Sequence, residues 1–129
     1  MKDFSRTWKS SRNTRKQRKY RMNAPLNLRK NMMAAPLSKE LRTKHKRRSI
    51  SVRKGDRVRV LRGEFKKRTG KIEGVNTKKY RVFVEGIERT KRDGSKMKIG
   101  IPVSKVQITE LNLDDKARKM IFEGRKAEK

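Results

Sequence analysis

The side chains of this sequence best suited to chemistry are cations set close together. From Arg12 to Met22 (RNTRKQRKYRM), Arg12, Arg15, Lys16, Arg18, Lys19 and Arg21 surround a single aromatic ring, Tyr20. Lys66, Lys67 and Arg68 form a second cluster within Gly63 to Thr69 (GEFKKRT), and His45 to Arg48 (HKRR) makes a third. Arg29, Lys30, Lys39, Arg42, Lys46, Arg47, Arg48, Arg62, Lys71, Lys78 and Lys79 extend the candidate set around them. Arginine offers a planar fork of donors and lysine a compact point charge, and both match phosphate oxygens. Neutralising a polyanion also releases its condensed counterions, which is where the affinity of such clusters comes from. The plainer alternatives are a solvated tail or localisation signal for the first cluster and a solvated turn for the second.

Catalysis has little to stand on. General acid–base or metal chemistry needs carboxylates, histidines or thiols gathered in a pocket. There is no cysteine, and the one histidine, His45, lies in a Lys/Arg stretch as a polar linker residue. The acidic pairs Asp114–Asp115 and Glu85/Glu88 fit a helix start and a strand surface. No phosphate-cradling glycine motif is present either. The expectation is therefore no enzyme, no cofactor and no metal. Absence of cysteine removes disulfides and thiolate zinc sites, and fits a reducing compartment. Met1 to Arg12 contains no apolar run of the secretory type. The longest apolar stretch, Met32 to Leu37, is too short to span a bilayer and contains Pro36, so no membrane insertion is expected.

Charge narrows the partner. The 129 residues suit one domain with appendages, and they carry 41 Lys and Arg against 13 Asp and Glu, a net charge of +28. A compact chain repels itself at that charge unless a polyanion neutralises it, and nucleic acid is the expected one. An anionic membrane would call for a wide amphipathic face or an anchor, and neither is visible. Only 31% of residues are hydrophobic, enough for one small core that is marginal alone, so the remainder is expected to order against a partner.

The elements that must position these cations follow from the charge distribution. Residues 1–50 hold 17 basic and 2 acidic side chains, residues 51–106 hold 18 and 6, and residues 107–129 hold 6 and 5. The first part, residues 1–49, shows no long apolar periodicity and reads as a basic extension. Ala24-Pro25 and Ala35-Pro36 punctuate it, because the residue before proline is pushed out of the α region. Ser38 can cap a short helix over Lys39 to Arg42. The second part, residues 50–111, reads as strands. Val58 and Val60 alternate with Arg57 and Arg59, Gly70 opens a second strand, and Asn76 to Lys79 makes a turn. Tyr80, Val82 and Val84 share one face opposite Arg81 and Phe83. Asp93-Gly94 signals a hairpin whose arms are Ile87–Lys91 and Lys96–Ile101, with Met97, Ile99, Ile101 and Val103 facing in. Five or six short strands at this spacing predict a small barrel, so the fold class is mainly β. Residues 112–129 predict a C-terminal helix and tail, with Asn112 or Asp114 as N-cap, a core-facing stripe of Leu113, Ala117, Met120 and Ile121, and Gly124 at its end.

One stretch is familiar. Val58 to Val75 (VRVLRGEFKKRTGKIEGV) resembles a KOW motif, two strands flanking a basic loop with a glycine, here Gly70, opening the second strand. A loop-to-strand junction beside a bound backbone needs freedom in φ and no Cβ. Ribosomal and transcription-elongation proteins both carry the motif. Ala24-Pro25, Ala35 to Arg42 (APLSKELR) and Val103 to Asp115 (VSKVQITELNLDD) narrow the choice. They resemble the archaeal and eukaryotic members of the large-subunit ribosomal family called L-twenty-four in bacteria and L-twenty-six in eukaryotes, from about Tyr20 onward. The resemblance implies an SH3-like KOW barrel with Gly63 and Gly70 as motif glycines. It also implies binding to the largest ribosomal RNA near its 5′ domain, early entry into assembly, and a position near the mouth of the polypeptide exit tunnel. Neighbouring large-subunit proteins become expected partners, as do targeting or translocation factors at the exit. The expected location is the cytoplasmic ribosome, with nucleolar passage in a eukaryote. Family loops often hold a further glycine near Lys67 or Arg68, where this sequence has KKRT. The C-terminus is short for a eukaryotic member, which fits an archaeal or compact eukaryotic source. A KOW-type transcription factor would add a second domain, and a histone-like DNA compactor would place its apolar residues on dimerising helices rather than strands.

Overall fold

An asparagine and two prolines set the first boundaries. In the computed structural model, which describes residues 4–5, 7–8 and 10–123, Asn13 Oδ1 accepts from the Arg15 amide at 3.0 Å and starts α1 (Thr14–Asn23). Ala24 is extended ahead of Pro25, which ends that helix and opens α2 (Leu26–Met32). β1 (Ala34–Pro36) follows. Ser38 then caps α3 (Lys39–His45) as the sequence predicts, accepting from the Leu41 amide at 3.4 Å, and Lys46 closes it in the left-handed region at φ 50°. β2 (Ser49–Ser51) returns antiparallel to β1.

The main sheet comprises β3 (Arg57–Val60), β4 (Thr69–Asn76), β5 (Arg81–Thr90), β6 (Lys96–Pro102) and β7 (Val106–Glu110). It is antiparallel, in the order β6-β5-β4-β3-β7. A 3₁₀ turn, Val103–Lys105, carries the chain from one edge to the other. Register shifts at Arg57/Val58, between Ile72 and Gly74, and between Phe83 and Glu88 bend the sheet around its core. Val58, Val60, Ile72, Val82, Val84, Ile87, Ile101, Val103, Val106 and Ile108 fill that core. The Asp93-Gly94 hairpin forms where expected, with Asp93 Oδ1 accepting from the Ser95 amide and hydroxyl.

Three parts of the core depart from the sequence pattern. Met33, Ala35 and Leu37 are at most 1% exposed, so the core begins well before Ile50. β1 supplies Ala35 through its pairing with β2, Met33 and Leu37 flank that strand, and Leu37 bridges to Ile108. Three residues of strand, two of them alanine and one proline, are too few to display a period. On β6, Met97 is 47% exposed and Ile99 only half-buried. Gly86 at φ 75° and the shift beside it re-aim the distal hairpin, and residues 88–98 project beyond the core. The third departure is α4 (Lys116–Glu123). Asp115, rather than Asn112 or Asp114, caps it by accepting from the Ala117 amide at 2.9 Å. Ala117, Met120 and Ile121 are exposed, while Arg118 and Phe122 turn inward at an i, i+4 spacing. The cause is Asp56, a carboxylate with no exposed surface, which draws Arg118 onto it. The helix end predicted at Gly124 lies outside the described residues.

Candidate nucleic-acid interface

α1 buries no residue, Arg15, Lys16, Arg18, Lys19 and Arg21 are all exposed along it, and Arg12 is exposed just before it. Its end is fastened to the turn before β5. The Tyr80 hydroxyl donates to the Arg21 carbonyl at 2.7 Å, and the Arg21 guanidinium lies 4.6 Å from the Tyr80 ring centroid. Arg29 completes the joint by donating to the carbonyls of Ala24 at 2.7 Å, Lys78 at 3.1 Å and Met22. These carbonyls include ones left free by the last turn of α1, so Arg29 acts here as a cap. Lys78 and Lys79 are exposed on the same turn, whose Asn76 Oδ1 accepts from the Lys79 amide. Tyr20 stacks on Trp8 with centroids 4.2 Å apart, and Phe4 lies 4.6 Å from it.

The β3–β4 loop is a compact backbone structure. The Val60 amide donates to the Arg68 carbonyl and the Lys67 amide to the Val60 carbonyl, at 2.9 and 2.8 Å. Closing so short a loop forces Gly63 to φ 97° and Lys67 to φ 70°. Arg62, Lys66, Lys67 and Arg68 are exposed, and Arg68 lies over the Phe65 ring at 5.3 Å. Of the two reasons the sequence suggested for Gly70, the lack of a Cβ holds and the freedom in φ is not used. It is not among the positive-φ glycines, but a Cβ there would sit 2.6 Å from the Glu85 carbonyl oxygen and 2.8 Å from Val84 Cγ1. What forbids a side chain is the approach of β5. Lys71 follows, exposed, on β4.

Around α3, Lys30, Lys39, Arg42, Lys46 and Arg48 are exposed, with Arg42 also donating to the Leu37 carbonyl at 2.9 Å. Arg47 is half-buried, its Nε without a hydrogen-bond partner among the described residues. His45 packs on Phe122, ring centroids 4.3 Å apart.

Carboxylates are distributed so as to leave this set alone. Among the described residues the ion pairs are Arg53–Asp115, Arg57–Glu110, Arg89–Glu64, Lys98–Glu73 and Arg118–Asp56. None of them uses a cation from the predicted set. Glu73 raises the Lys98 ammonium above its ordinary pKa by hydrogen bond and charge, and the Ser95 hydrogen bonds lower Asp93 below its own. Lys91, Arg92 and Lys96 on the projecting hairpin are also exposed and belong to no ion pair among the described residues, yet they were not in the predicted set. A signal for them exists in the sequence, where Lys91, Arg92, Lys96 and Lys98 flank the Asp93-Gly94 turn. No described helix is long and apolar enough to cross a membrane, and no group of three potential metal ligands occurs among the described residues.

A small, bent antiparallel sheet with a basic β3–β4 loop and a basic helical arm defines an SH3-like KOW domain of the nucleic-acid-binding class. Residues 11–125 match the family of eukaryotic ribosomal proteins L-twenty-six and their archaeal L-twenty-four counterparts, and the chain belongs to that family. It is 49% identical to large ribosomal subunit protein uL24 of Korarchaeum cryptofilum over 108 residues, 84% of this chain and 82% of that one. It is 46% identical to the protein of the same name from Schizosaccharomyces pombe over 126 residues, 97% of this chain and 98% of that one. The Methanosphaera stadtmanae protein of that name is 47% identical over 108 residues, 84% and 92% of the two chains.

Proposed function

We propose that this chain is a structural component of the large ribosomal subunit that binds and pins ribosomal RNA. The observation that carries this reading is the segregation of charge. Among the described residues carboxylates pair with Arg53, Arg57, Arg89, Lys98 and Arg118, while the exposed cations of the arm, the β3–β4 loop and the turn beside Tyr80 enter no ion pair and can meet an external anion. Mechanistically, Lys and Arg on the arm and on the loop bridge phosphates of separate RNA segments and fix the distance between them. No bond is made or broken, and no cofactor takes part.

Family membership supports the finer statements. The RNA is that of the large subunit, in its 5′ domain, and the protein joins early in assembly. It neighbours other large-subunit proteins near the exit tunnel, within reach of targeting or translocation factors. Its location is the cytoplasmic ribosome, with nucleolar passage if the source is eukaryotic. The domain division that serves this function is a basic extension over 1–49, a KOW barrel over 50–111 and a helix with tail over 112–129, the extension contributing β1, which pairs with β2 where the barrel begins. The test is binding of the free protein to separate transcripts of the large-subunit RNA domains, together with sedimentation of the tagged protein in cell extracts. Preference for the 5′ domain and co-migration with the large subunit are expected. Equal affinity for every transcript, or absence from the subunit fractions, would overturn the reading.

A further inference from the structure

Three rings meet on one side of α1. Tyr20 lies at the centre of a helix face that also carries Lys16, Lys19 and Asn23, neighbours at three- and four-residue spacing. Trp8 stacks on Tyr20 at 4.2 Å and 24°, and Phe4 approaches it at 4.6 Å and 35°. The three rings, the two lysines and Asn23 line a pocket of about 200 Å³. All three rings are only half-buried. The hydrophobic core lies under the sheet, and none of these three rings belongs to it.

What the pocket holds follows from its chemistry. Its volume falls below the roughly 300 Å³ at which drug-sized ligand sites begin, so it suits one planar group rather than a folded ligand. A cationic guest would be attracted by the rings but repelled by Lys16 and Lys19. An apolar side chain of another protein would leave both ammonium groups without a counter-charge. A nucleotide satisfies everything present: the base stacks on aromatic faces, the phosphates meet the lysines, and the Asn23 amide can donate to and accept from a base edge. We infer that the Phe4–Trp8–Tyr20 cluster is a stacking site for one unpaired base of a single-stranded RNA segment. Lys16 and Lys19 hold the phosphates on either side of that base. The site rests on the RNA-binding reading above and adds to it a preference for unpaired over helical RNA, which charge alone does not supply.

Trp8 is the sole tryptophan of the chain, so its fluorescence reports on this site alone. The full-length protein is titrated with an eight-nucleotide oligouridylate, with a self-complementary RNA duplex, and with inorganic polyphosphate, following both fluorescence and affinity. Oligouridylate should quench Trp8, while polyphosphate, which has charge but no bases, should bind without quenching. Trp8→Ala should weaken oligouridylate binding about ten-fold, in the range measured for loss of one base–aromatic stack, and leave polyphosphate binding unchanged. Trp8→Phe should restore most of the loss. A purely structural role for Trp8 would instead lower the helical circular dichroism and weaken both ligands equally, which sinks the proposal. RNA binding without quenching and without effect of Trp8→Ala also sinks it, leaving the ribosomal reading intact and the aromatic face to a protein neighbour. Failure of every RNA to bind would overturn the ribosomal reading and this site together.

Discussion

The guanidinium of Arg118 meets both carboxylate oxygens of Asp56, at 2.5 and 2.8 Å, with side chains only 2% and 0% exposed. Asp56 stands just before β3 and Arg118 on α4, so one ion pair joins the start of the sheet to the last helix. Each partner has further bonds. Arg118 donates to the carbonyls of Asn112 and Ser51, and Asp56 accepts from the Arg53 and Asn112 amides. The pair is thus the fixed point about which α4 and the segment before it are set.

Breaking that pair from one side strands a buried charge. Asp56→Leu or Arg118→Met is expected to destabilise by about 3–5 kcal/mol, read from urea unfolding of the free protein. The double variant should lose less than either single one, because it leaves no unpaired charge. Additive losses would mean that the pair is not what orients the helix.

Lys67 is held at φ 70°, where a side chain costs about 1 kcal/mol or more. Lys67→Gly should therefore raise the unfolding midpoint slightly, the relief outweighing the glycine's greater freedom in the unfolded chain. Lys66→Gly, without such strain to relieve, should lower it. The glycine that the resemblance leads one to expect near this position would suit the left-handed backbone. If both variants behave alike, the loop is not closed as described.

Limited trypsin digestion tests where the ordered core begins. Cuts are expected within residues 12–23, where α1 buries nothing, whereas Lys39 and Arg42 should resist within a segment anchored by Met33, Ala35 and Leu37. Tyr80→Phe removes the hydroxyl that holds the Arg21 carbonyl and should speed cleavage in α1. Rapid loss of residues 24–49 as well would place the boundary at Ser49 instead.

The contrast at that boundary shows what the sequence could carry. Val58, Val60, Val82 and Val84 were legible because each strand is long enough to repeat its alternation. Ala35 and Leu37 were not, since their burial depends on β2 and on Ile108, residues far along the chain. The face of α4 was misread for a related reason. Periodicity counts apolar residues, and here the residue turned inward is an arginine whose partner lies 62 positions away. At the site, the basic clusters were visible by type alone. That Arg29 would direct its donors to carbonyls at the end of α1 required the fold.

The division of binding between arm and loop gives the final prediction. Reversing Lys66, Lys67 and Arg68 to Glu is expected to weaken binding to the cognate RNA domain, and so is deleting residues 1–22, but with different signatures. The deletion removes nine basic groups, Lys2, Arg6, Lys9, Arg12, Arg15, Lys16, Arg18, Lys19 and Arg21, against three reversed in the loop. The slope of log affinity against log salt falls by about 0.7 to 0.9 for each phosphate no longer neutralised, so the deletion should flatten it more. The loop is fixed by backbone hydrogen bonds between Val60, Lys67 and Arg68, so its cations keep a set spacing. Losing them should reduce the preference for cognate over unrelated RNA. Among the described residues the arm is fastened near Tyr80, and its charges and stacking rings should contribute affinity that does not depend on base sequence. The measurement is the salt slope for wild type, loop variant and deletion on cognate and unrelated transcripts. A slope unchanged by the deletion would mean that the arm does not lie on phosphates, and pinning by arm and loop together would have to be abandoned.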